Sequence, residues 1–125
     1  MNTTHPTIAN GKICYVELPS NDPKASSEFY KQIFGWNIRT RGDGATSFDD
    51  GVGEVSGAWV KGRKAAAEVG MVVYIMVDNI EDAINSIEKH GGKIVQPLGM
   101  DAPELTARFA DLDGNIFGLY QEPIK

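Results

Sequence analysis

The stretch FDDGVGEVSGAW at residues 48–59 returns, sixty-one positions later, as FADLDGNIFGLY at residues 109–120. Phe48 falls on Phe109, Asp50 on Asp111, Gly53 on Gly114, Val55 on Ile116, Gly57 on Gly118 and Trp59 on Tyr120. Each copy reads as the end of one strand, an Asp/Gly turn and a second strand that carries a glycine. Nearer the N-terminus a shift of 57 superimposes Val16 on Val73, Leu18 on Ile75, Gly35 on Gly92 and Ile38 on Val95. Both alignments run without a gap, and the second half carries four more residues near Met100. The chain therefore reads as two copies of one supersecondary unit.

The elements of that unit follow from local signals. A first helix opens at Asn21-Asp22-Pro23, where Asp22 can cap free N–H groups and Pro23 has no N–H to satisfy. Ala25, Phe29, Tyr30 and Ile33 form its apolar stripe, and Gly35 ends it. A second opens at Asn79, carries Ile80, Ala83, Ile84 and Ile87 at helical spacing, and stops at Gly91-Gly92. Strands are expected at residues 13–18, 36–41, 45–49, 54–60, 71–77, 93–96, 106–110 and 115–121. The order is βαβββ twice, an α+β class. Residues 1–10 read as a disordered tail and residues 11–125 as one domain, with module one at 11–61, a connector at 62–69 and module two at 70–125.

Strand alternation sorts the faces. Cys14, Val16 and Leu18 share one face with their repeat partners Val73, Ile75 and Val77, and this aliphatic face is expected beneath the helices. Tyr15 and Glu17, with Val72, Tyr74 and Met76, share the other. Gly57 with Trp59 and Gly118 with Tyr120 are assigned to that same open, concave set. A glycine inside a strand marks close approach or room for a ligand, or else a bulge. The aromatics there could equally fill a closed core. Asp111-x-Asp113-Gly114 lacks the further ligands of a calcium loop and reads as a turn, with Gly114 in an unusual backbone conformation.

Composition narrows the function. The chain has 125 residues, 42 % of them apolar and 23 % charged, which suits one folded domain. A net charge of −5 gives no basic footprint for nucleic acid. No apolar run approaches the roughly 20 residues of a membrane helix. The first residues are polar and lack an apolar signal core, so a cytoplasmic location is expected. Cys14 is the only cysteine, which excludes an intrachain disulfide and a Cys-x-x-Cys zinc site. Its strand parity marks it as a buried, inert thiol.

The chain resembles the vicinal oxygen chelate superfamily, which includes glyoxalase I, the extradiol dioxygenases and the bleomycin and fosfomycin resistance proteins. The resemblance rests on Glu17-Leu18-Pro19 with Asp22-Pro23, on Phe29-Tyr30 with Phe34-Gly35-Trp36, on Val77-Asp78-Asn79, on Gly91-Gly92 and on Asp111-x-Asp113-Gly114. It implies paired βαβββ modules forming a cup-shaped, mixed or antiparallel sheet with the helices outside. It also implies a divalent metal held by four side chains, usually His or Glu, on the first and last strands of each module. Carried over position by position, these are Tyr15, Gly57, Val72 and Gly118. Glycine and valine offer no side-chain donor, and a neutral phenol is a poor one. Of the histidines, His5 lies in the tail and His90 at a helix end, where a surface role is expected. No cofactor is therefore expected.

Two functions follow as expectations. In the first, the protein binds a small aromatic or amphipathic molecule against Tyr15, Glu17, Gly57, Trp59, Val72, Tyr74, Gly118 and Tyr120, as bleomycin-resistance members of the family bind their drug. In the second it is a lyase, isomerase or dioxygenase-type enzyme related to lactoylglutathione lyase, acting through Glu17 as general base or through an atypical metal site. Pairing of Glu17 with Arg108 or another cation stands against the second reading. The resemblance also implies a homodimer.

Overall fold

The computed structural model describes residues 5–10, 12–68 and 70–123. The chain forms two compact units, residues 1–63 and 64–125. Unit one runs β1 (Tyr15–Pro19), α1 (Pro23–Phe34), β2 (Asn37–Thr40), β3 (Thr46–Asp49) and β4 (Ser56–Val60). Unit two runs β5 (Tyr74–Met76), α2 (Ile80–Lys89), β6 (Lys93–Gln96), β7 (Leu105–Ala110) and β8 (Ile116–Gln121). The fold is α+β, and each unit is a βαβββ module.

Both sheets have the same mixed topology, β1-β4-β3-β2 and β5-β8-β7-β6. The first strand of each lies parallel to the last, and the other pairs are antiparallel. The parallel pair is the consequence of the helix, which returns the chain across one face. β5 is shorter than its expected span, although bonds from the Gly118 N–H to Val73 O and from the Val77 N–H to Tyr120 O carry its pairing with β8 one residue further at each end.

The helix ends follow the sequence. Asp22 Oδ1 accepts the Ala25 N–H at 3.2 Å, Pro23 takes the first turn, and the Gly35 N–H closes on Lys31 O at a φ of 71°. Asn79 Oδ1 accepts the Asp82 N–H at 3.0 Å. His90 caps the other end of α2 and lies exposed, its Nδ1 2.8 Å from Ser86 O.

Each helix seals one face of its own sheet. Under α1, Tyr30 stacks on Trp36 at 4.7 Å, Trp36 on Phe48 at 4.4 Å, and Phe48 lies 4.9 Å from Trp59. Under α2, Ile80 and Ile87 cover Ala107, Phe109, Phe117 and Leu119, all buried. Burial of each large side chain stabilises its unit by about 1.5–3 kcal/mol.

One register differs from the sequence alignment. Phe48 pairs with Gly57, whereas Phe109, its repeat equivalent, pairs with Phe117. The reason is turn length. The Asp50 N–H closes on Val55 O at 2.8 Å, while the Asp111 N–H closes on Asn115 O at 2.9 Å, one residue sooner. Asp50 and Asp111 organise these turns alike, each accepting two backbone N–H groups on Oδ1. The alignment at a shift of 61 is thus gapped in space, and beyond the turn the true shift is 60. Because side chains alternate, that single residue exchanges the faces. Gly57 and Trp59 point beneath α1, where Trp59 is 3 % exposed, and the expectation that they line the open face is corrected. Gly118 and Tyr120 keep the open face.

One smaller expectation also changes. Cys14 is exposed, because the ladder begins only at Tyr15. Within the N-terminal segment, His5 and Thr7 bond to Glu54.

Candidate functional site

The face of each sheet opposite its helix carries the candidate residues, and the two faces differ in chemistry. In module one, Tyr15 and Glu17 on β1 share this face with Ser56 and Ala58 on β4, with Ser47 and Asp49 on β3, and with Asn37 and Arg39 on β2. It is polar and internally satisfied. Arg39 holds Asp49 through two bonds, Nε to Oδ2 at 2.9 Å and Nη2 to Oδ1 at 2.8 Å. Ser56 Oγ donates to the same carboxylate at 2.7 Å and Asn37 Nδ2 at 3.3 Å. Burial pushes the Asp49 carboxyl up, but the Arg39, Ser56 and Asn37 bonds outweigh it and its pKa lies below 3.8.

Tyr15 and Glu17 are taken up in the same way. Arg41 Nη1 donates to Tyr15 Oη at 2.8 Å, joining the two edges of the sheet over its open face. Arg63 Nη2 donates to Glu17 Oε1 at 2.6 Å, with both side chains partly in solvent. General-base catalysis by Glu17 would call for a carboxylate enclosed by apolar groups. A water-exposed ion pair is the opposite environment, so the cation facing Glu17 is Arg63 rather than Arg108. The polar partners Arg39, Arg41, Asp49 and Arg63 were missed in the sequence. The alternation of Asn37 and Arg39 around Ile38, and of Ser47 and Asp49 around Phe48, carried the signal for the first part of this network.

In module two, Tyr74 and Met76 on β5 lie opposite Gly118 and Tyr120 on β8, which lie opposite Arg108 and Thr106 on β7. Tyr74, Met76, Thr106 and Tyr120 line an open hollow of about 370 Å³ with mainly apolar walls. Tyr74 and Met76 are 43 % and 68 % exposed, so these are large apolar surfaces facing solvent. The Tyr74 ring lies directly over Gly118. Thr106 Oγ1 is held by Asp101 Oδ2 at 2.6 Å. Tyr120 Oη donates to Glu122 Oε1 at 3.0 Å, and this bond raises the phenol above its ordinary 10.0. Val72, half-buried, precedes β5 by two residues and shares the alternation of Tyr74.

Residues 12–119 match the Glyoxalase/Bleomycin resistance protein/Dioxygenase superfamily. The chain belongs to this superfamily. A glyoxylase-like domain-containing protein of Didymella fabae is 25 % identical over 135 residues, covering 94 % of this chain and 99 % of that protein. Among solved structures, the genomically encoded fosfomycin resistance protein FosX of Listeria monocytogenes superposes with a TM-score of 0.75 at 15 % identity, over 94 % of each chain. A glyoxalase/bleomycin resistance protein/dioxygenase family enzyme of Burkholderia phytofirmans PsJN gives 0.73 at 16 % identity, over 89 % of this chain and 98 % of that one. These likenesses extend to the fold.

The superfamily's divalent ion does not fit the residues present. With the register corrected, the position of module one that corresponds to Gly118 is Ala58 rather than Gly57. The four positions are then Tyr15, Ala58, Val72 and Gly118, of which three have no side-chain donor. A phenol already bonded to Arg41 is the fourth. The space above Gly118 is filled by the Tyr74 ring. Among the described residues no three His, Cys, Asp or Glu side chains come together in a metal-binding group.

Proposed function

We propose that this superfamily member binds a small aromatic or amphipathic organic molecule on the open face of module two, and that it does so without a resident metal ion. The observation that carries this reading is the hollow of about 370 Å³ between Tyr74, Met76, Thr106 and Tyr120. Its volume falls within the range of small-molecule sites, and its walls are apolar with a few placed polar groups. The exposed rings lose little rotamer freedom for the area they can cover, and the flexible Met76 thioether can adapt its shape to a ligand laid against them. The contrasting face of module one has its charges paired and offers less apolar area.

A neutral planar probe, N-phenylnaphthylamine, tests this. Its fluorescence should rise saturably at one site per chain, and a hundredfold excess over its Kd should stabilise the fold by about 2.7 kcal/mol. Tyr120→Ala should weaken binding while Glu17→Gln leaves it unchanged. Absence of saturable binding, or equal loss in both variants, would refute the proposal.

A further inference from the structure

The chain contains four arginines, Arg39, Arg41, Arg63 and Arg108. Three are engaged: Arg39 with Asp49, Arg41 with Tyr15 and Asp43, and Arg63 with Glu17. Arg108 is different. It is half-buried, its Nε is fully covered, and that Nε has no hydrogen-bond partner among the described residues. Its side chain joins no ion pair there either. A covered Nε–H without an acceptor is costly, because water is removed from it and nothing replaces it, while Nη1 and Nη2 are not among the covered, unpaired atoms. Such a group is stabilised when an oxyanion takes the two parallel N–H bonds of the guanidinium edge.

Register places this cation beside the hollow. Arg108 pairs with Gly118, and Gly118 pairs with Tyr74, so the three form one row across β7, β8 and β5 on the open face. Thr106, Tyr120 and Met76 form the next row. Gly118 puts no side chain between Arg108 and Tyr74, and the Tyr74 ring occupies the space above the glycine instead. Of the acids near the other row, Asp101 accepts from Thr106. Glu122 accepts from Tyr120, and Glu104 acts on Tyr120 at longer range.

Resting on the proposed ligand site, we infer that Arg108 binds the anionic group of the ligand. The ligand class is then an aromatic or amphipathic molecule with a planar oxyanion, a carboxylate or sulfonate, whose ring covers Tyr74 and Tyr120 while its charge meets Arg108. A hydrogen bond between charged groups contributes about 1.5–3 kcal/mol, which corresponds to roughly a tenfold to hundredfold gain in affinity.

Two dyes that differ in charge separate the possibilities. Anilinonaphthalene sulfonate carries the anion, and N-phenylnaphthylamine has the same rings without it. The intact protein should bind the sulfonate about tenfold or more tightly than the neutral dye. Arg108→Gln should remove that advantage and change neutral-dye binding less than about twofold, while Arg108→Lys, which keeps the charge but not the fork, should restore part of it. Thermal melts of both variants check that they fold. Equal loss of both dyes, or retention of sulfonate affinity in Arg108→Gln, overturns the assignment to Arg108 and leaves the hollow as a neutral-ligand site. Failure of the intact protein to bind either dye overturns the hollow itself and the assignment with it.

Discussion

The ring of Tyr74 lies so close over Gly118 that a Cβ on the glycine would stand 2.4 Å from the ring's Cδ2 and Cε2. Gly57, its sequence counterpart, is crowded from the other side of its sheet. A Cβ there would stand 2.0 Å from the Val16 carbonyl oxygen and 2.5 Å from Cζ of Phe48. The two clashes differ in who can yield. Tyr74 is 43 % exposed and can swing toward water, whereas Phe48 is 1 % exposed and a backbone carbonyl cannot move. Gly118→Ala should therefore cost about 1 kcal/mol and Gly57→Ala about 3 kcal/mol. Adding Tyr74→Ala should relieve the first and leave the second untouched. Urea midpoints at constant m-value read all three, and equal losses at both glycines would contradict the face assignment.

The same ring bears on metal binding. Purified protein should hold zinc or nickel far below one equivalent per chain, and a chelator should leave the melting curve unchanged. Val72→His with Gly118→Glu supplies donors at two of the superfamily's positions, but the new glutamate must displace Tyr74. Nickel affinity should therefore appear, or strengthen, when Tyr74→Ala is added to that pair. One tightly bound ion per unmodified chain, with stability lost on chelation, would defeat the expectation.

Acid should loosen the N-terminal segment. Glu54 accepts the Thr7 N–H at 3.0 Å, is paired with Lys12 at 3.1 Å, and is bonded to His5 and the Thr7 hydroxyl. The Thr7 backbone bond, followed by Lys12, His5 and the Thr7 hydroxyl, holds its carboxyl at about 2, well below the ordinary 4.5. A carboxyl with a lowered folded-state pKa stabilises above its unfolded value, and that contribution is lost as pH falls through the folded value. The segment should thus stay attached at neutral pH and detach between about pH 4.5 and pH 2. Hydrogen exchange at the Thr7 amide would report the release. Glu54→Gln should remove this acid dependence, and an unchanged profile in that variant would refute the role of Glu54.

The sequence made the architecture legible because its signals were local. Asp22-Pro23, Asn79, Gly35 and Gly91-Gly92 mark helix ends through capping chemistry that needs no tertiary context. Half of the site was legible for a related reason. Tyr15 and Glu17 on β1, and Tyr74 on β5, follow from alternation along single strands. Trp59 was misplaced because its face depends on how many residues separate β3 from β4, and a repeat of glycines conceals a one-residue difference in turn length. The Arg41–Tyr15 hydrogen bond on module one joins the two edges of a four-stranded sheet, so no spacing along the chain announces it.

That turn provides the most direct test of what sets the register. Val52 lies in the longer turn and is 66 % exposed, so Val52→Ala should cost less than about 0.5 kcal/mol. Deleting Val52 would shorten the turn to the length found at residues 111–115. The two strands could then keep their pairing only by breaking the Asp50 bonds to the Glu54 and Val55 N–H groups, at 2.8 Å and 3.1 Å. If the turn bonds survive instead, β4 slips by one residue, which turns Trp59 out to solvent and brings Ser56 and Ala58 inward. Removing Trp59 from the stack with Tyr30, Trp36 and Phe48 should cost about 3–5 kcal/mol, as for truncation of a buried tryptophan. The deletion should therefore destabilise module one severely, with red-shifted tryptophan fluorescence and loss of near-ultraviolet dichroism. Both tryptophans of the chain, Trp36 and Trp59, lie in that core and will report it. A deletion variant as stable as Val52→Ala, with native fluorescence, would mean that helix packing rather than turn length fixes which face Trp59 occupies.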